Sequence, residues 1–147
     1  MCWEKIKKFF TAGGAQPDAR FIGKSILTID DDAMQRTMIQ KTLEKRGFTV
    51  ITASDGQEGL EMALRQKPHI ILLDVMLPGM RGYDVCKRLK SDARTKVIPV
   101  LFLTALDDPK EVIAQYDMGG EVHLSKPINP RELILQIEIS LQEKETA

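Results

Sequence analysis

The chain has 147 residues, a length typical of one domain with its own hydrophobic core. Hydrophobic residues make up 43% and charged residues 29%, which is the balance of an ordinary globular protein. Basic and acidic residues each number 21, so a formal net charge of zero excludes a general electrostatic attraction to nucleic acid or to anionic membranes.

The two cysteines, Cys2 and Cys86, have neither metal-ligand spacing nor the pattern of a disulfide framework. No apolar run approaches the roughly 18 residues that a membrane-spanning helix needs. Charged residues interrupt the first ten positions, so the apolar stretch of a secretory signal is missing there. These features predict a reduced, cytoplasmic protein.

Residues 1–23 precede the regular pattern and are predicted to form an N-terminal extension, with a linker at 13–17. Its apolar residues have the spacing of one helical face: Trp3, Ile6, Phe9 and Phe10. One interpretation is a short amphipathic helix at 1–10 that contacts a membrane or a partner. A flexible tail, or a helix packed on its own domain, is the alternative.

From Ser25 onward, short apolar runs alternate with amphipathic stretches. The first half predicts, in order, a strand at 26–29, a helix from 34 to a stop at 47, a strand at 49–53, and a helix after 56 that ends before 68. The second half predicts a strand at 70–73, a helix around 85–89, a strand at 100–103, a helix from 109 to a stop at 119–120, a strand at 122–124 and a helix at 130–145.

Five strands alternating with five helices predict an α/β fold, (βα)5, with a parallel sheet and helices on both of its faces. The strand at 70–73 is apolar at every position, as expected of a central strand that is covered on both sides. The pattern alone leaves the order of the strands open.

Polar side chains follow four of the five predicted strands: Asp30 to Asp32, Asp74, Thr104 and Lys126. Ligands of parallel sheets bind beyond the carboxyl ends of the strands. Because those ends meet at one edge, the sequence predicts that these four sites converge although they are far apart along the chain.

Clustered carboxylates repel one another unless a cation lies between them, and Mg2+ prefers such oxygen ligands. A carboxylate can also attack phosphorus and form an acyl phosphate. Transfer then depends on positioning and on neutralising the phosphoryl oxygens. Asp74 fits the nucleophile, Lys126 the neutralising ammonium and Thr104 the hydroxyl donor.

Four motifs resemble those of the response-regulator receiver domain of two-component signalling, in the family's order: Ile29–Asp32, Leu72–Met80, Leu103–Ala105 and Ser125–Pro127. The resemblance runs from about residue 24 to 141 and predicts a receiver domain at 24–147. It implies a doubly wound, flavodoxin-like sheet of order 2-1-3-4-5, the order of a chemotaxis member of the family.

The resemblance also implies roles for the acidic residues. Asp74 would be the phosphoacceptor. Asp31 would be the principal carboxylate ligand of Mg2+, completed by Asp74 and by the backbone carbonyl of Met76. Asp30 would hold the ion through a water molecule.

Three further positions carry family roles by the same resemblance. Thr104 would hydrogen-bond a phosphoryl oxygen and Lys126 would pair with it, with the Lys126–Pro127 bond in the cis form. Relatives usually have an aromatic residue three positions before the lysine, which turns inward when the threonine moves. His123 occupies that position here, as in some phosphorelay receivers, so Thr104 and His123 are the predicted switch pair.

The predicted function is that of a stand-alone response regulator, not an enzyme beyond self-phosphorylation and autodephosphorylation. A histidine kinase or a histidine phosphotransfer protein would phosphorylate it. No room for a DNA-binding domain is expected after the fifth helix, so output would run through the fourth helix, fifth strand and fifth helix to a protein and not to nucleic acid. The alternatives are a phosphohydrolase of the haloacid-dehalogenase type, suggested by Asp30, Asp32 and Thr104, and a docking module that works without phosphorylation.

Overall fold

The computed structural model describes residues 17–105 and 122–146. The strands are β1 Ser25–Ile29, β2 Thr49–Ala53, β3 Ile70–Asp74, β4 Val100–Thr104 and β5 Val122–Ser125. The described helices are α1 Ala33–Lys45, α2 Gly56–Gln66, α3 Gly82–Ser91 and α4 Pro130–Thr146. The helix predicted from residue 109 lies outside the described residues, so the fifth predicted helix is α4.

The five strands form one parallel sheet in the order β2-β1-β3-β4-β5. This confirms the predicted α/β fold and the order 2-1-3-4-5. All five residues of β3 are buried, as the unbroken apolar run predicted for a central strand.

Two hydrophobic cores lie on opposite faces of the sheet, because successive side chains of a strand point to opposite sides. Ile26 and Leu72 belong to the core beneath α1 and α4. Leu27 and Leu73 belong to the core beneath α2 and α3. Helices on both faces make the fold doubly wound. Polar side chains are therefore expected at the two edges of the sheet where the strands begin and end.

Local capping sets where the helices begin and end near the carboxyl edge of the sheet. The Asp32 carboxylate accepts a hydrogen bond from the Met34 amide at 3.0 Å, and the Asp55 carboxylate accepts one from the Glu58 amide at 2.8 Å. At the other end of α1, Gly47 has a φ of +91°, which glycine adopts without the steric cost of a side chain.

Phe21 is a core residue that the sequence-based division left in the N-terminal extension. Its side chain is 1% exposed and packs in the core beneath α1 and α4. The predicted boundary between 23 and 24 therefore separates Phe21 from the core that it helps to fill. No helix in the described ranges is long and apolar enough to cross a membrane.

Candidate functional site

The acidic turn after β1 and the end of β3 meet at the carboxyl edge of the sheet. Asp30, Asp31 and Asp74 each place a carboxylate oxygen within 4.8 Å of the others. Lys126, just past β5, reaches the same cluster, and Thr104 ends β4 on the same edge. The predicted convergence is thus observed in the structure.

Asp74 is held in place from two sides. The residue is 3% exposed, and its Oδ2 accepts a hydrogen bond from Lys126 Nζ at 2.9 Å. Its Oδ1 accepts one from the Met76 amide at 3.1 Å. Lys126 Nζ also lies 4.0 Å from Asp30 Oδ2, so one ammonium group is shared between two carboxylates.

Asp30 is the most deeply buried acid of the cluster. Burial raises the pKa of its carboxyl to about 6, and the nearby Asp74 charge adds to the rise, while the Asp32 amide and Lys126 oppose it. The Asp32 amide donates to Asp30 Oδ1 at 2.9 Å. Asp31, one residue further, is exposed.

The donor set fits a hard divalent cation. The Oδ2 atom of Asp30 is buried and has no hydrogen-bond partner among the described residues, although it belongs to a polar group that is costly to bury without one. Together with Asp31 and Asp74 it offers the oxygen ligands that Mg2+ prefers. A cation at this position would offset the repulsion among three carboxylates.

Thr104 is buried, and its hydroxyl has no hydrogen-bond partner within the described part of the chain. Its backbone carbonyl accepts a hydrogen bond from the Lys126 amide at 2.8 Å, which ties the end of β4 to the residue after β5. The Lys126–Pro127 peptide bond is cis, as the family resemblance implied. The hydroxyl is therefore available to an acceptor oxygen brought to this edge.

The His123 side chain lies on the face of the sheet that α3 covers. It pairs with Phe102 in the register of β4 and β5, and the two rings lie 4.9 Å apart at an angle of 20°. Tyr83, in the first turn of α3, contacts Phe102 with its ring centroid at 4.9 Å. The Tyr83 and His123 ring centroids are 6.3 Å apart, so the residue expected to act as the switch belongs to a cluster of three rings, which sequence reasoning missed.

Sequence reasoning also missed two residues that position the site. Arg36 donates a hydrogen bond from Nη1 to the Asp30 backbone carbonyl at 2.6 Å and so braces the acidic turn. Gly82 begins α3 against the end of β3, where a Cβ atom would overlap the Asp74 carbonyl oxygen. The glycine that follows the Pro78-Gly79 turn was the available sequence signal, whereas nothing local marks Arg36.

A profile of the response regulator receiver domain matches residues 26–138. The chain belongs to this family. Receivers are phosphoacceptor switches of two-component systems and not enzymes, and membership decides against the haloacid-dehalogenase alternative. In this receiver, the carboxylates of Asp30, Asp31 and Asp74 form an acidic cluster at the carboxyl edge of the sheet.

Among curated relatives, the receiver is 39% identical over 126 residues to the alkaline phosphatase synthesis transcriptional regulatory protein PhoP of Bacillus subtilis. That match covers 86% of the chain and 52% of PhoP. The DNA-binding regulator RpaA of Synechocystis is 39% identical over 117 residues, which cover 80% of the chain and 48% of RpaA. The chain thus spans about half the length of these two relatives.

Solved structures give matches over nearly their whole length. The chemotaxis protein CheY4 of Vibrio cholerae has a TM-score of 0.73 and 30% identity, with 80% of this chain and 98% of CheY4 covered. The receiver domain of the sensor histidine kinase PA1611 of Pseudomonas aeruginosa has a TM-score of 0.76 and 26% identity, with 82% and 98% covered. The PA1611 domain has a magnesium ion coordinated in its active-site cleft.

Proposed function

We propose that this receiver accepts a phosphoryl group on Asp74 from a histidine kinase or a histidine phosphotransfer protein in the cytoplasm, with Mg2+ as cofactor. The observation that supports this most directly is the position of Asp74. It ends the central strand beside Asp30 and Asp31, with one carboxylate oxygen 2.9 Å from Lys126 Nζ. A nucleophile, a counter-charge and a donor set for a cation occur together.

In the proposed reaction, a carboxylate oxygen of Asp74 attacks phosphorus as the bond from phosphorus to the histidine nitrogen of the donor breaks. The electron pair of that bond stays on the imidazole, and Asp74 becomes an acyl phosphate. The Lys126 ammonium group would form an ion pair with a phosphoryl oxygen. The buried Thr104 hydroxyl would donate a hydrogen bond to another phosphoryl oxygen.

The cation site is part of the same proposal. Asp31 would be the principal ligand, with Asp74 and the backbone carbonyl of Met76, while Asp30 would act through water. When bound, Mg2+ supplies positive charge that lowers the repulsion between the attacking carboxylate and the phosphoryl oxygens.

The first test is labelling with acetyl phosphate. Asp74→Asn should abolish incorporation, because an amide oxygen is a poor nucleophile, whereas the matched exposed control Asp84→Asn should label like the wild type. A chelator should stop labelling of the wild type. Labelling that survives in Asp74→Asn would contradict the assignment, and a wild type that never labels would favour a docking module that works without phosphorylation.

We further propose that the receiver acts as a stand-alone protein and signals through a protein surface made by the helix predicted from residue 109, by β5 and by α4. A net charge of zero gives no general attraction to nucleic acid, which favours output to a protein. On α4, Leu135 and Ile139 are 42% and 39% exposed. Immunoblotting of native cells should show a band at the size of 147 residues. A band at about twice that size would overturn the stand-alone proposal.

A further inference from the structure

We propose that the opposite edge of the sheet carries a second binding site, a basic pocket for a small phosphate-bearing anion. This basic pocket has a volume of about 410 Å³. Its walls come from the residues before β1, β3 and β4 and from the last turns of α4. It lies at the amino ends of the strands, far from Asp74 at their carboxyl ends, so it is distinct from the phosphoacceptor site.

Positive side chains from four separate segments line the basic pocket: Lys24, Lys67, Arg94 and Lys144. The described residues that line it include no aspartate or glutamate. Asp92 binds the Arg94 guanidinium with an Nη2 to Oδ2 distance of 2.7 Å. The described lining of the basic pocket thus contains three lysines and no carboxylate, in a chain whose formal net charge is zero.

Two of these lysines disfavour the protonated form of the His69 ring, which also lines the basic pocket. Desolvation lowers the pKa of the His69 ring, and Lys24 and Lys144 lower it further. Desolvation also lowers the pKa of Lys144, with Lys90 contributing. Lys144 is fixed in place because Nζ donates to the Val97 carbonyl at 2.6 Å. An anion bound among these groups would offset the repulsion and would be attracted by several charges at once.

His69 adds a hydrogen-bond donor, because the hydrogen bonds of its ring identify its neutral tautomer. Its Nδ1 accepts a hydrogen bond from the Ser25 backbone amide at 3.0 Å. Since a backbone amide can only donate, Nδ1 carries no hydrogen, and the neutral ring carries its hydrogen on Nε2. The Nε2–H group can donate to a phosphate oxygen.

The remaining lining is apolar and includes Pro68, Ile98 and Leu141. A volume of this size falls within the range of about 300–1,000 Å³ that small-molecule sites occupy. The combination of cations and apolar surface suits a phosphate group that carries an apolar part, as in a mononucleotide. Free pyrophosphate shares the anionic chemistry but lacks that part, so the two sources can be distinguished.

The test titrates the full chain with ADP, with pyrophosphate and with adenosine by calorimetry in the presence of EDTA. Without a divalent cation, the three carboxylates at the other edge repel anions, so binding there does not confuse the result. ADP or pyrophosphate should bind and adenosine should not. If ADP binds more tightly than pyrophosphate, the ligand of the basic pocket is a nucleotide. If the two bind equally, the ligand is an inorganic phosphate.

The charge-reversal variant Lys67→Glu should weaken binding by about tenfold or more, because an attractive charge becomes a repulsive one. Lys41→Glu, an exposed lysine of α1 outside the basic pocket, makes the same change in net charge and should stay within about twofold of the wild type. Equal effects of the two variants would overturn the proposal, as would the absence of binding by both anions.

A second readout follows the two histidine rings of the chain by NMR, with His69→Gln used to assign them. Anion binding should raise the pKa of His69, because a nearby negative charge favours the protonated ring. The pKa of His123, on β5, should not change. If the pKa of His69 does not change at saturating anion, the ligand binds elsewhere and the proposal is contradicted.

Discussion

At the scale of single residues, neighbours in sequence have opposite surroundings. Asp30 is buried at the end of β1, whereas Asp31 is exposed one position later. Only Asp31 can be a well-hydrated carboxylate before a ligand arrives. Asp30 is costly to ionise, and its pKa of about 6 records that cost.

The raised pKa of Asp30 predicts how stability depends on pH in the presence of a chelator. The folded value of about 6 exceeds the ordinary value of 3.8, so the folded state binds this proton more tightly than the unfolded state. The contribution is complete below pH 3.8 and is lost as the pH rises through 6. The free energy of unfolding measured by urea denaturation should therefore contain a larger contribution from Asp30 at pH 5 than at pH 7.

Asp30→Asn removes the titrating group and should flatten this part of the profile. Asp92, whose pKa is lowered to about 2 by its hydrogen bonds with Arg94, loses its own contribution only at lower pH and does not interfere. If the wild type and Asp30→Asn show the same slope between pH 5 and 7, Asp30 does not titrate there. Saturating Mg2+ should shift the wild-type profile, because the cation competes with the proton.

At the scale of elements, the site depends on how closely α3 starts against the end of β3. A Cβ atom on Gly82 would overlap the Asp74 carbonyl oxygen and would lie 2.8 Å from the Val75 Cα atom. Both obstacles are backbone, which cannot rotate away as a side chain can. The first turn of α3 also carries Tyr83, which packs on Phe102, so the position of this turn affects the cluster of three rings that includes His123.

Gly82→Ala should lower the free energy of unfolding by about 1–3 kcal/mol, the usual cost of overpacking. It should also slow labelling of Asp74, because β3 and α3 must separate. Gly23→Ala is a suitable control: Gly23 has a φ of +82° with open space around its missing Cβ, so the change costs about 1 kcal/mol of backbone strain and leaves labelling intact. Normal labelling in Gly82→Ala would show that the close approach is not needed.

At the scale of the whole molecule, a net charge of zero conceals two edges of opposite character. The carboxyl edge gathers three carboxylates around Lys126, and the amino edge gathers the cations of the basic pocket. Composition alone could not show this, because both edges form from residues that are far apart in the chain. The apolar face predicted for 1–10 lies outside the described residues and stays a prediction.

That prediction can be tested by sedimentation with lipid vesicles. If residues 1–10 contact a membrane, the full chain should sediment with vesicles and a chain without residues 1–16 should remain in the supernatant. The deletion should stop there, because Phe21 fills the core, and Phe21→Ala is expected to cost about 3–5 kcal/mol. Equal sedimentation of the two chains would favour the tail interpretation.

The sequence by itself determined the repeating elements, the parallel sheet with helices on both faces and the four sites at the carboxyl edge. Each follows from local periodicity and from the rule that parallel strands end on the same side. The receiver motifs in Leu72–Met80 and Ser125–Pro127 then named the family and, through it, the strand order.

Only the tertiary structure decided the burial of Asp30 and Phe21, the bond from Arg36 to the Asp30 carbonyl, and the basic pocket around His69. These depend on which distant segments meet and on how much water their contact removes. A pattern read along one chain does not contain distances between segments, so desolvation and charge crowding emerge only once the sheet has formed.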